Sequence, residues 1–339
     1  MTALTDSDGS KCPDFQPDFA FKSCVYYDAA DHEQECGFCK QDKYYRCIAD
    51  ITRGIPLSYS SVSDFLTCHY LYYLKAIRGI RVRDSQCSNP LKLGTLWDRV
   101  LQKHLGDQTQ DIAAIIDQYE IPPREVAKVR GIYRAYKQLE IKVDPGYDLQ
   151  AKIDDCLEFD GPQLLITGYY DRKYPTYFVE NKFSGRPDNY FDPFFTASQN
   201  GVYFMADPRM EYCVMEVVRS PDLKSTRSHK DEEPETYSER IFQDAISRPS
   251  WYFPGWEKKT RRYGKKLWRK EYDLDGIADR FVHVFREIRV ACQHNAFYRN
   301  DRVCHNVLPG IQCDMLPICR TQGHMNDDVF EVRKRKITF

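Results

Sequence analysis

Between residues 149 and 218 the chain takes on strand character. Four segments, LQAKI, LLITGYYDRKY, TYFVENKF and MEYCVMEVV, are rich in β-branched and aromatic residues and are separated by turn-formers such as Asp160-Gly161-Pro162. Between the last two lies DPFFTASQNGVYFMA, which reads as a helix. Upstream, Ser58-Tyr59-Ser60-Ser61 with Asp64 is a helix-start signal leading into Phe65, Leu66, Tyr70 and Leu74 at helical spacing. A second helix is expected in GTLWDRVLQKHL, where Leu93, Leu96, Trp97, Val100, Leu101 and His104 fall on one face, with His104 read as a core histidine. A third spans Arg124 to Leu139, and a long one Asp273 to Cys292, while residues 221–236 read as a mobile charged loop. Helices, three strands, a helix and a strand predict an α/β (α+β) core with a central mixed β-sheet flanked by helices.

The 339 residues, 42% hydrophobic, suffice for one large domain or two modest ones. No apolar run reaches the length of a membrane span, and residues 1–11 carry no apolar signal region. Lys and Arg number 49 against 50 Asp and Glu, which excludes a uniformly basic nucleic-acid coat but not a local basic surface. Thirteen cysteines, an odd number in a long chain, favour cytosolic metal binding over a disulfide scaffold.

The cysteines cluster at the two ends. Residues 1–55 show no helical period and are too short to bury a core unaided, so they read as a zinc-binding module. Its knuckle is Cys36-Gly37-Phe38-Cys39, with Cys24 and Cys47 completing four thiolates and Cys12 or His32 as substitutes. The main core follows over 56–290, then a cysteine cluster over 291–325 (Cys304, Cys313 and Cys319, with Cys292 as a substitute), then a basic tail over 326–339.

The central constellation is Asp171 with Glu180-Asn181-Lys182. If LLITGYYD and TYFVENKF form a hairpin, the turn near Pro175 sets Asp171 beside Glu180, and alternation puts Glu180 and Lys182 on one face. Two adjacent carboxylates repel unless a cation lies between them, and all-oxygen ligation suits Mg²⁺ or Mn²⁺. Lys182 is then placed to orient or deprotonate an attacking water. Taken alone, Glu180 and Lys182 also fit an ordinary same-face pair on an exposed strand. Residues 251–272 interleave aromatics with cations, and Lys258, Lys259, Arg261, Arg262, Lys265, Lys266 and Trp268 are candidates for binding DNA, single strands in particular. A merely solvated charged face is the alternative.

SYSSVSDFLTCHYLYYL, GTLWDRVLQKHL, GYYDRKY, FVENKFS, QNGVYF and the final cysteine triplet together resemble RecB-type nucleases of the PD-(D/E)XK superfamily, over roughly Pro56 to Gly323. That branch includes CRISPR adaptation nucleases, helicase-nuclease subunits and phage-encoded proteins. The resemblance implies a restriction-endonuclease-like core in which Asp171 and Glu180 bind metal and Lys182 completes the catalytic motif. It further implies that Gln199 and Tyr203 support the lysine and contact DNA. Many relatives carry a metal-binding histidine where Trp97-Asp98 stands, so Asp98 inherits that role as an oxygen ligand, against the alternative of a helix-surface aspartate. Cys68 on the first helix would join Cys304, Cys313 and Cys319 around a [4Fe-4S] cluster, although the eight residues between Cys304 and Cys313 exceed the usual spacing and leave zinc as an alternative. The implied activity is exonucleolytic processing of DNA ends, in the cytoplasm of a bacterium or phage-infected host, with a helicase or recombination partner. The rival is a catalytically silent DNA-binding or adaptor protein that keeps the fold.

Overall fold

The computed structural model describes residues 57–158, 163–223, 232–294, 296–305, 312–321 and 324–333. The zinc module expected over 1–55, with Cys12, Cys24, Cys36, Cys39 and Cys47, lies outside the described residues, as does the middle of the charged loop, 224–231. In chain order the longer helices are α1 (Tyr59–Thr67), α2 (Asn89–His104), α3 (Ile112–Gln118), α4 (Pro123–Gln138), α5 (Pro193–Ala206), α6 (Pro234–Ser247) and α7 (Leu274–Gln293). The strands are β1 (Ile80–Val82), β2 (Asp148–Glu158), β3 (Gln163–Lys173), β4 (Tyr177–Ser184), β5 (Tyr212–Arg219), β6 (Lys265–Trp268) and β7 (Phe330–Val332). The chain divides into two compact units, one drawn from Met1–Arg83, Asp154–Thr167 and Ala278–Phe339, the other from Asp84–Ile153 and Gly168–Ile277.

In the first unit, Ser58 caps α1 by accepting from the Ser61 N–H at 3.1 Å, and the Ser61 hydroxyl accepts from the Ser58 N–H at 2.8 Å. The capping box is therefore closed by a serine rather than an acid. Asp64, the expected acidic partner, instead pairs with Lys75 at 3.0 Å. Phe330–Val332, in the stretch read as a basic tail, pairs antiparallel with Ile80–Val82, and Ile80 and Phe330 join Cys68, Leu71, Leu74, Met315 and Ile318 in a buried cluster.

The second unit contains β4, β5, β6 and the parts Asp148–Ile153 of β2 and Gly168–Lys173 of β3, in a sheet whose order is β2-β3-β4-β5-β6. Strands β4 and β5 are parallel and joined through α5, while β3–β4 and β5–β6 are antiparallel. The sheet is mixed and flanked by helices, consistent with a restriction-endonuclease-like fold. Along α2, Leu93, Leu96, Trp97 and Leu101 are buried at the predicted spacing, each contributing about 1.5–3 kcal/mol by leaving water. They pack with Ile132, Ala135 and Tyr136 of α4 and Ile241 and Ala245 of α6. Helices α4 and α6 approach closely because position 131 is glycine: a Cβ there would lie 2.7 Å from the Ser238 carbonyl oxygen and 2.8 Å from Ile241 Cγ2. His104 departs from its reading as a core residue. It lies at the last turn of α2, exposed, with its ring edge-on to Tyr133 and Tyr136. Its place on the apolar face brings it against those rings without covering it.

Candidate active site

Asp171, Glu180 and Lys182 sit where β3 and β4 diverge. The register pairs Arg172 with Val179 and Lys173 with Phe178, so one step further sets Asp171 opposite Glu180. There the Asp171 carboxylate replaces a backbone acceptor, its Oδ2 taking the Asn181 N–H at 2.7 Å. Strict alternation also slips at this point. Tyr170 packs on Phe178 and on Tyr203 of α5, yet Arg172, two residues on, ion-pairs with Glu216, which stands opposite Asn181 in β5. The slip is what sends Asp171 to the acidic site and Arg172 to the other face.

Glu180 is 3% exposed. Its Oε1 accepts from the Lys182 ammonium and from Gln199 Nε2 at 2.7 Å, and Gln199 also donates to the Tyr203 hydroxyl at 3.2 Å. The Gln199-x-x-x-Tyr203 spacing works as expected of one helix face, but the amide holds the acid rather than the lysine. Among the described residues, Glu180 Oε2 is buried and has no hydrogen-bond partner. Burial, then the neighbouring Asp171 charge, push the Glu180 carboxyl above the ordinary range. Asp98, on α2, is half-buried and accepts from Gln102 Nε2 at 2.7 Å. Burial and the field of Asp171 push it up to about 6. For Lys182, burial works against the charge, but Glu180 and Asp171 outweigh it and hold the ammonium above its usual value. Six residues read from the sequence, Asp98, Asp171, Glu180, Lys182, Gln199 and Tyr203, thus fall in one neighbourhood of one unit.

Two further residues belong to it. Gln150 of β2 donates to Asp171 Oδ1 at 3.4 Å, from a backbone with φ of +49° that a side chain rarely adopts. Nothing in LQAKI signals this. Gly168 leaves room for the Tyr203 ring, since a Cβ there would lie 3.2 Å from Tyr203 Cε1.

The buried Glu180 oxygen with no partner among the described residues, beside an Asp171 charge that pushes both Glu180 and Asp98 up, is the donor chemistry a divalent cation satisfies. Among the described residues no three His, Cys, Asp or Glu side chains are arranged to hold a metal ion. A Mg²⁺ ion that keeps several waters needs only one or two protein carboxylates.

The basic residues lie elsewhere on this unit. Lys258, Lys259, Arg261, Arg262, Lys265, Lys266 and Trp268 are all exposed. Several also have structural partners: Arg261 pairs with Glu140, Arg262 with Asp144, Lys265 donates to the Phe191 carbonyl at 3.1 Å, and Lys266 lies 4.3 Å from the Tyr212 ring centre. The last four of the stretch, Lys265–Trp268, form the edge strand β6, which was not foreseen because only Leu267 is buried.

In the first unit, Cys68 and Cys304 are buried and Cys313 and Cys319 half-buried, all as free thiols. Cys68 and Cys304 enter the electrostatic surroundings of both Cys313 and Cys319, and burial is the largest cause pushing Cys319 up to about 11. The Asn300 N–H donates to Cys68 Sγ at 3.3 Å, and the Cys313 N–H to the Cys304 carbonyl at 2.9 Å. Cys292 is pushed up to about 12 by burial alone. The thiols are neighbours, but they too are not gathered into a metal-holding set.

Among the described residues no helix is long and apolar enough to cross a membrane. Neither a curated protein nor a solved structure matches the chain. Residues 56–174 match the family model of the PD-(D/E)XK nuclease superfamily, a span that includes Asp98 and Asp171 and stops before Glu180. That match spans about a third of the chain, 119 of 339 residues, and is a likeness to the PD-(D/E)XK nuclease superfamily, on a mixed sheet whose β3 and β4 bring Asp171 to Glu180 and Lys182.

Proposed function

We propose that the chain is a Mg²⁺- or Mn²⁺-dependent deoxyribonuclease that hydrolyses phosphodiester bonds at DNA ends. The observation that carries this reading is the buried, unpartnered Oε2 of Glu180 beside Asp171 and Lys182. Asp171 and Glu180 hold the ion, and Asp98 adds negative charge beside them without joining a three-carboxylate set. The ion supplies charge stabilisation at the phosphate and a water acidified enough to attack phosphorus. Gln199 fixes the Glu180 carboxylate, and Gln150 and the Asn181 N–H fix Asp171. Lys182, kept charged by its two acidic neighbours, donates to the attacking water or to a phosphate oxygen rather than accepting a proton. Tyr203 braces Gln199.

DNA with a free end, single strands included, is the substrate that the family and the exposed cations favour, and a helicase or recombination factor the natural partner. End-labelled linear DNA degraded with Mg²⁺ or Mn²⁺, with circular DNA of the same sequence left intact and no loss in EDTA, is the expected result. Cleavage of the circle at equal rate would make the enzyme an endonuclease.

Cys68, Cys304, Cys313 and Cys319 are proposed to ligate a [4Fe-4S] cluster, with zinc as the alternative metal. Support comes from their mutual proximity and from the N–H aimed at Cys68 Sγ. Protein purified without oxygen should be brown and carry iron; colourless protein with zinc alone would overturn the cluster.

A further inference from the structure

The aromatic run after residue 250 divides sharply in the fold. Tyr252, Phe253 and Tyr263 are 1%, 0% and 4% exposed and belong to the core beneath α4 and α6. Trp251, next to two of them, is 48% exposed. Its backbone is fixed, because its N–H donates to the Arg248 carbonyl at 3.0 Å within the short helical turn Pro249–Tyr252. The indole is therefore held out from a rigid base.

Cations lie against it. The Arg219 guanidinium carbon is 4.1 Å from the Trp251 ring centre, and Arg219 Nε donates to the Trp251 carbonyl at 3.0 Å. The Arg248 guanidinium carbon lies 5.6 Å from the same ring. Arg219 is also tied to the exit of the catalytic strand, donating to the Gly185 carbonyl at 3.5 Å and to Asp188 at 3.3 Å. It stands opposite Ser184, as Val217 stands opposite Lys182, so it lies two residues beyond the lysine along the sheet, about 7 Å.

We propose that Trp251, backed by Arg219 and Arg248, is a stacking platform for an unpaired nucleobase of the strand that runs to Lys182. A flat indole nearly half open to solvent offers a face to any base, and the two guanidinium groups beside it, anchored on Asp188 and Asp244, fix its position and add positive charge at the ring. A base-paired duplex hides its base faces except at its ends, so the platform selects single strands or frayed termini. The inference rests on the nuclease reading for the direction of the strand, but its binding test does not.

The test uses the full chain with Lys182→Ala, so that DNA survives the titration, and adds Trp251→Ala, Trp251→Phe or Trp268→Phe. Binding of a short oligothymidylate and of a blunt duplex is followed by anisotropy of labelled DNA, and stacking by quenching of tryptophan emission. Trp251→Ala should weaken oligothymidylate binding about tenfold, Trp251→Phe should retain most of it, and duplex binding should stay within about twofold in both. The quench should survive Trp268→Phe and vanish with either Trp251 variant. Unchanged oligothymidylate affinity in Trp251→Ala, or an equal loss toward duplex, overturns the platform even if the wild-type chain cleaves DNA. A wild-type chain that cleaves nothing, with the Trp251 losses intact, overturns the nuclease reading and leaves the platform standing.

Discussion

Replacing Glu216 by Gln should be among the most damaging single changes to the catalytic unit, although Glu216 is not on the catalytic face. Arg172 is 2% exposed and Glu216 8% exposed, and each is the other's charge partner. Burial pushes the Glu216 carboxyl up while the Arg172 charge opposes it. Removing one member of such a pair leaves a buried uncompensated charge, at a cost of about 3–5 kcal/mol, whereas replacing both by apolar side chains of similar volume is often neutral or stabilising. A loss of about 3 kcal/mol lowers the urea midpoint by about 1 M or more at slopes of about 1–3 kcal/mol per molar. All four tryptophans lie in Asp84–Ile153 or Gly168–Ile277, so their emission follows this unit alone. Glu216→Gln should therefore shift that transition by at least about 1 M, and Arg172→Met with Glu216→Leu should restore most of it. If the single variant is as stable as the wild type, or the double variant is the worse of the two, the pair is not the buried clamp described here.

Three other outcomes follow from the same geometry. A divalent ion at a hundredfold its dissociation constant should stabilise the wild type by about 2.7 kcal/mol, raising the melting temperature by several degrees in scanning fluorimetry, and Glu180→Gln should show no such rise; an equal rise in the variant would remove Glu180 from the metal. Gly168→Ala, whose Cβ would crowd Tyr203 at 3.2 Å, should cut cleavage about tenfold or more through the displaced Tyr203–Gln199–Glu180 chain while the fold persists; full activity would show that this chain does not position the acid. Asp207 is held below its ordinary value of 3.8, first by hydrogen bonds from Arg209 and then by Lys173. A depressed carboxyl stabilises the fold fully at neutral pH and loses that contribution as pH falls below 3.8. Asp207→Asn should thus lower the urea midpoint at pH 7 and converge on the wild type in acid, whereas a gap independent of pH would refute the linkage.

Much of the site was legible because strand periodicity is short and strict. Asp171 opposite Glu180, and Glu180 with Lys182 on one face, followed from two apolar runs and a turn. Gln199 and Tyr203 followed from the family resemblance, and their spacing of four sets them on one helix face. The slip at Asp171 was not legible, because it depends on a side chain replacing a backbone acceptor at Asn181. Gln150 was equally hidden, since its reach depends on a left-handed backbone inside a strand. The run Lys258–Trp268 was read by charge, and its last four residues are an edge strand; exposed lysines suit such an edge, so the charge that drew the reading is also strand-edge chemistry. The strand Phe330–Val332 was lost for another reason: three residues are too few to show alternation, and the partner is far away in sequence.

The most direct test of the central claim compares the wild type with Lys182→Ala on end-labelled DNA, single- and double-stranded, in Mg²⁺, in Mn²⁺ and in EDTA. The account predicts metal-dependent degradation by the wild type, none in EDTA, and none by the variant above background. Wild type and variant behaving alike would contradict it.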